Sequence, residues 1–136
     1  MARRWRFDKA IRKLKQKKST LPIKVGIIAK RHFLASFRKQ GWVDQSLRKW
    51  KPRKRQDKDK RRRAILVLSG AMRASIRVRQ ARFSAIRVGS YGIKYARRHN
   101  RGINNMPQRQ FIGPSKQMTK KIKAMVRKEI KMIFNN

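Results

Sequence analysis

The stretch Ile76-Arg-Val78-Arg-Gln80-Ala-Arg82-Phe83-Ser-Ala85-Ile86-Arg-Val88-Gly89-Ser90 decides the fold class. Ile76 to Arg79 alternates apolar and charged residues, Phe83 to Ala85 alternates again, and Ile86 to Val88 resumes after a register shift. A period of two places one set of side chains on one face of a pleated strand. The pattern predicts two antiparallel strands with their turn at Gln80 to Arg82, closed by Gly89 and Ser90. Strands in the middle of an otherwise helical chain make the class α+β.

Upstream, Ile65 to Leu68 is a short apolar run, and Ser69 can cap a brief helix in which Leu68, Met72 and Ile76 share a face. Phe7, Ile11 and Leu14 recur at helical spacing before Ser19 and Thr20, and Pro22 suits the first turn of a second helix. Ile23, Ile27, Leu34 and Phe37 are its main stripe, with Ile28 and Phe33 beside it, and Gly41 is the expected stop. Gly26 weakens the middle, so a single bent helix from Phe7 to Gln40 is the alternative. Downstream, Tyr91 to Ala96 reads as a strand or a short turn of helix, Asn100 to Met106 as a loop, and Pro107 to Ser115 as an extended segment anchored by Phe111 and Ile112. Ser115 then caps the clearest helix. Its Met118, Ile122, Met125, Val126, Ile130 and Ile133 are expected in the core, with Lys and Arg on the far side.

Charge bounds the function. Forty-two Lys and Arg against five Asp and Glu leave a net charge of +37 on 136 residues. Such a chain repels itself, so its working neighbour is expected to be a polyanion. Nucleic acid fits, because duplex DNA carries one phosphate charge per roughly 1.7 Å of axis. The 39% hydrophobic content, with six Phe and three Trp, is too high for a charged disordered tail. A chain of this length is read as one domain, residues 1–136. Cysteine is absent, which excludes disulfides and cysteine-based zinc sites. No apolar run is long enough to span a bilayer, and the basic N-terminus lacks the apolar segment of a signal peptide.

Catalysis has little to stand on. Asp8, Asp44, Asp57, Asp59 and Glu129 are scattered, and Asp57 with Asp59 reads as charge relief in a cationic run. His32 and His99 lack a third ligand or a partnered nucleophile. There is no phosphate loop and no dinucleotide fingerprint. Neither an enzyme nor a cofactor is expected.

The candidate binding segment is Arg48 to Arg63, with eleven cations in sixteen residues: Arg48, Lys49, Lys51, Arg53, Lys54, Arg55, Lys58, Lys60, Arg61, Arg62 and Arg63. Pro52 breaks regular structure, and runs of like charge seldom fold alone. The expectation is a long loop between the first helix and the sheet that orders only against an anion. Trp42 and Trp50 flank it, either as bases' stacking partners or, more simply, as anchors of its stem. Contacts from such a loop to phosphate would position without reading sequence.

One resemblance covers Phe33 to Phe134. Leu68-Ser69-Gly70-x-Met72-x-x-Ser75-Ile76 is followed by Ile86-x-Val88-Gly89-Ser90, then Tyr95-Ala96-x-x-His99-x-x-Gly102, then Pro107-x-Arg109-x-Phe111-Ile112-Gly113-x-Ser115 and a closing helix. Phe33-x-x-Ser36-Phe37-x-x-Gln40-Gly41 and Trp50-x-Pro52 precede them. This order resembles the virion-morphogenesis, or tail-completion, proteins of tailed bacteriophages, departing from them at Gln110 and in the basicity of the loop. The resemblance implies a homo-oligomer, commonly a sixfold ring, at the head–tail junction of the virion. Such a ring assembles in the host cytoplasm, contacts tail terminator or tube proteins and the head connector, and surrounds the DNA. Gly70 and Gly102 are expected in left-handed backbone. Two rivals stand beside this reading: a basic nucleic-acid-binding protein of ribosomal or nucleoid type, and a nuclease of phage assembly, which the missing carboxylate cluster disfavours.

Overall fold

In the computed structural model, residues 2–54, 64–67 and 69–135 are described, with side chains from Phe7 onward. The order is α1 (Ala2–Lys39), β1 (Gly41–Val43), β2 (Leu47–Lys49), α2 (Ala71–Ala74), β3 (Ile76–Arg82), β4 (Ala85–Ser90), α3 (Ala96–Arg101) and α4 (Lys116–Phe134). The fold is α+β, with two antiparallel two-stranded sheets, β1–β2 and β3–β4, between the terminal helices.

α1 is the single-helix alternative, continuous through Pro22. Ser19 and Thr20 do not cap a second helix. Their hydroxyls donate backwards to the Gln16 carbonyl, as interior hydroxyls do. The buried line runs through Pro22, Gly26, Ala29, Phe33 and Phe37, while Ile23 and Ile27 are exposed. The expected stripe was therefore off by about one position in its first half. The cause is close packing, which selects small residues: a Cβ on Gly26 would sit 2.9 Å from Val78 Cγ1. Glycine costs about 1 kcal/mol of helix propensity there and lets the β3–β4 hairpin approach the helix. Phe7, Ile11 and Leu14 are also exposed on the helix's first turns. The stop is Gln40, left-handed at φ 53°, rather than Gly41, which enters β1.

The region after α1 corrects the long-loop expectation at its first two residues. Arg48 and Lys49 lie in β2, paired with Trp42 and Gly41. Pairing satisfies backbone groups that a run of like charge would otherwise leave to water. Residues 50–53 have no regular structure and residue 54 is a bend, while 55–63 lie outside the described residues. Trp42 and Trp50 are buried anchors, and Leu47 between them is exposed. The Trp50 indole donates to the Gln110 carbonyl at 2.8 Å.

The β3–β4 hairpin forms as expected but turns at Phe83–Ser84, with Gln80 to Arg82 in β3 and a bulge between Val78 and Gln80. The bulge absorbs the register shift that the sequence displays. Met72 and Ile76 are buried, and Leu68 lies outside the described residues. Gly70 and Gly102 take the expected left-handed values, φ 75° and 68°. Tyr91 to Tyr95 forms bends and turns rather than a strand, and Asn100 belongs to α3 rather than a loop. From there its side chain clamps the extended segment. Asn100 Oδ1 accepts the Phe111 and Ile112 amides at 2.9 Å, and Nδ2 donates to the Ile112 carbonyl. Phe111 is thereby held at 0% exposure, 5.2 Å from the Phe37 ring.

Ser115 caps α4, accepting from the Met118 amide and donating to the Val43 carbonyl. Asp44 completes the cap by accepting the Lys116 amide at 2.8 Å. The α4 stripe is only partly core. Ile133 is buried, Met118, Ile122, Met125 and Val126 are half-buried, and Ile130 is 43% exposed. The reason is an acid on the inner face. Glu129 is 5% exposed and bridges Lys17 and Lys24 of α1.

Two outcomes follow from this packing. Phe111→Ala should cost about 3–5 kcal/mol in urea unfolding, as full burial of the ring implies; a loss under 1 kcal/mol would contradict its central position. Hydrogen bonds from Lys17 and Lys24, with burial opposing, hold the Glu129 carboxyl below its ordinary range. A depressed folded pKa stabilises fully above the unfolded value of about 4.3, and the contribution is lost as pH falls below it. Glu129→Gln should cost about 1–3 kcal/mol at neutral pH, less than a fully buried pair because both lysines are partly solvated. It should also flatten the fall in stability below about pH 4.3. An unchanged acid slope would show that the bridge contributes nothing.

Candidate nucleic-acid interface

Of the eleven cations expected to bind, five are described. Arg48 and Lys49 are exposed on β2, and the Arg48 guanidinium stands 3.8 Å from Asp44. Lys51 and Lys54 are exposed, while half-buried Arg53 donates to the Ala64 carbonyl at 3.1 Å. Arg55, Lys58, Lys60, Arg61, Arg62 and Arg63 lie outside the described residues, as do Asp57 and Asp59.

The structure assembles a second cationic surface on α4. Lys116, Lys120, Lys123 and Arg127 follow one another at spacings of four, three and four, which is one face of a helix. With Asp44, Pro114, Ser115 and Thr119 they line a groove of about 580 Å³. Arg127 also lines the next hollow, with Lys128 and Lys131. At 1.5 Å per residue, the strip from Lys116 to Lys131 is roughly 22 Å long. Glu129, the acid of this helix, is turned inward to α1. None of Lys116, Lys120, Lys123 and Arg127 has an ion pair among the described residues. The N-terminal end adds the positive pole of the helix dipole beside Lys116. This strip was legible as the polar side of an amphipathic helix, but the denser run at 48–63 drew the binding assignment.

The two histidines have structural surroundings. His32 is buried, with Nε2 donating to the Val43 carbonyl at 2.9 Å and its ring edge-on to Trp42. Burial pulls its pKa down, the Val43 bond opposes, and Lys121 and Lys39 add to the lowering. His99 packs edge-on to Tyr95, and burial, then Arg109, lower its pKa. No group of three or more His, Asp and Glu able to hold a metal occurs among the described residues. None of their helices is long and apolar enough to cross a membrane.

The sequence reading missed Arg109 as a site residue, although the Pro107-x-Arg109 pair stands out. Its guanidinium is only 8% exposed and donates through Nε and Nη2 to the Lys51 and Pro52 carbonyls.

Fold and surface together define a small α+β chain with an aromatic core and a cationic outer face on α4. The chain belongs to the phage virion morphogenesis family, whose model matches residues 7–131. No curated protein and no solved structure matches it. Membership gives the chain a structural role in building a phage virion, among other virion proteins, and agrees with a non-enzymatic chain.

Proposed function

We propose that the whole chain, residues 1–136, acts as one domain that completes the phage tail. Six copies form a ring at the head–tail junction, joining tail terminator or tube proteins to the head connector around the DNA channel. Family membership over residues 7–131 carries this reading. The exposed apolar residues Phe7, Ile11 and Leu14 of α1 and Phe134 of α4 support it by offering surface for neighbouring subunits. Six copies of a +37 chain in one ring need anions close by, and DNA in the lumen supplies them.

The cationic strip of α4 faces the DNA backbone in this reading, and the segment at 48–63 is the second contact. Both act without base specificity, since phosphate contacts carry no sequence information. Particles lacking the protein should contain filled heads and separate, unjoined tails by negative-stain imaging. Purified protein should form rings once anions screen it. Normal joined virions without it, or nucleic-acid binding by a monomer that never forms rings, would overturn the proposal.

The two basic surfaces can be ranked by salt dependence. On duplex DNA each phosphate contact contributes about −0.9 to the slope of log affinity against log salt. Replacing Lys116, Lys120 and Lys123 with Gln should flatten the slope by up to about three units. The triple change of Arg61, Arg62 and Arg63 to Gln measures the other surface in the same assay. Unchanged slope in the α4 variant would remove that helix from the DNA contact.

A further inference from the structure

A pocket of about 250 Å³ opens between the Arg109 segment and α2 and shares no lining residue with the α4 groove. Arg53, Arg109 and His99 supply its polar wall, and Leu66, Met72 and Tyr95 its apolar wall. Three properties of these residues ask for an occupant.

The first is the buried charge. Arg109 is more than nine-tenths buried, and its hydrogen bonds go to neutral carbonyls. The ion pairs among the described residues are Lys17–Glu129, Lys24–Glu129 and Arg48–Asp44, so none of them compensates Arg109. A second guanidinium, Arg53, lies near enough to disfavour its charge further. A buried cation without an anion is costly, and natural structures pair such groups. The second property is His99 Nδ1, a buried ring nitrogen with no hydrogen-bond partner among the described residues. The third is Leu66, a bulky residue held in left-handed backbone at φ 61°, a strained conformation that gathers at binding sites.

We propose that this pocket receives a carboxylate side chain, Asp or Glu, presented by a partner protein. The acid would meet the outer edge of the Arg109 guanidinium, whose Nε and Nη2 are held by the Lys51 and Pro52 carbonyls, and lie beside the His99 ring, while its methylene stem lies on Leu66, Met72 and Tyr95. A carboxylate fits better than a DNA phosphate because the pocket is narrow and half apolar, whereas backbone phosphates are held by open, solvated strips such as that on α4. The proposal holds whether or not the ring forms, since any acidic partner chain would serve.

The chain has two histidines, so their ring Cε1–H signals make a paired reporter. His99 borders the pocket, and His32 sits against Val43 as the internal control. At about 0.15 M salt, where long-range attraction is screened, N-acetyl-glutamate amide is titrated against the neutral N-acetyl-glutamine amide. The His99 signal should move saturably with the acid alone, and the His32 signal should stay. Arg109→Lys should weaken the response about tenfold, because a compact ammonium cannot hold the Lys51 and Pro52 carbonyls and face the acid at once. Leu66→Asp places a carboxylate in the pocket and should abolish the response, while Leu66→Asn, equally tolerant of left-handed backbone, should keep it. This second pair decides the matter even if the Arg109 variant fails to fold. Equal movement of both histidines, equal response to glutamine, or identical behaviour of the two Leu66 variants would overturn the proposal. So would tighter saturation of His99 by inorganic phosphate or a short duplex, or a response that requires Asp57 and Asp59 to be changed to Asn.

Discussion

The ion bridge at Glu129 is the constraint on which the arrangement of the long helices depends. α1 and α4 are both heavily basic, and two such helices laid side by side would repel along their length. Glu129 stands between them and takes Lys17 and Lys24 together, so the closest cations at the contact share one buried anion. The bridge also determines what α4 shows to the outside. With its acid spent inward, the helix presents Lys116, Lys120, Lys123 and Arg127 on one face, with Asp44 at its N-terminal end as the acid lining the same groove. A surface of this kind results from where the few acids are placed, as much as from the number of bases.

Asp44 is the second acid with a structural use. It sits in the β1–β2 turn, yet its carboxylate and carbonyl accept the Lys116 and Gln117 amides. Ser115 ties the same helix end to Val43. The orphan amides of the α4 first turn are thus satisfied by the hairpin that follows α1, which fixes α4 against the aromatic core. The negative side chain also suits the positive end of the helix dipole. Together, Asp44 and Glu129 hold the two ends of α4 to elements far away in sequence.

Much of this fold was legible in local sequence, and the misreadings have physical causes. The Ser115 cap and the β3–β4 alternation are short-range signals and were read correctly. Pro22 looked like a boundary because proline removes a helix donor, but burial of Pro22 and Ala29 and the close packing of Gly26 on the hairpin outweighed it. The first half of the α1 stripe was misplaced because the large Ile23 and Ile27 were counted, while the buried line there uses Pro22, Gly26 and Ala29. Arg48 and Lys49 were read as loop because charge density conceals strand pairing, which is a backbone property. Asn100 resembled a loop residue, and its role as a clamp depends on where Phe111 arrives eleven residues later. The cations of 48–54 were visible, but the link of Arg48 through Asp44 to the start of α4 and the burial of Arg109 needed three-dimensional structure.

Under the ring reading, the exposed apolar stem of α1 and the positive surface set opposite demands on assembly. Phe7 is 68% exposed and shares a face with Ile11 and Leu14, a surface that association would bury favourably. The same approach brings together chains of charge +37, whose repulsion grows as they near each other. Apolar contact is nearly indifferent to salt, whereas repulsion between exposed charges fades beyond about 10 Å at 0.1 M salt. Under that reading free subunits would be kept apart by charge, and the apolar stem would act only when an anion is present to screen them. In a virion the available anions are the genome and acidic neighbours, so the chain's excess charge would make its assembly conditional on the partners it joins.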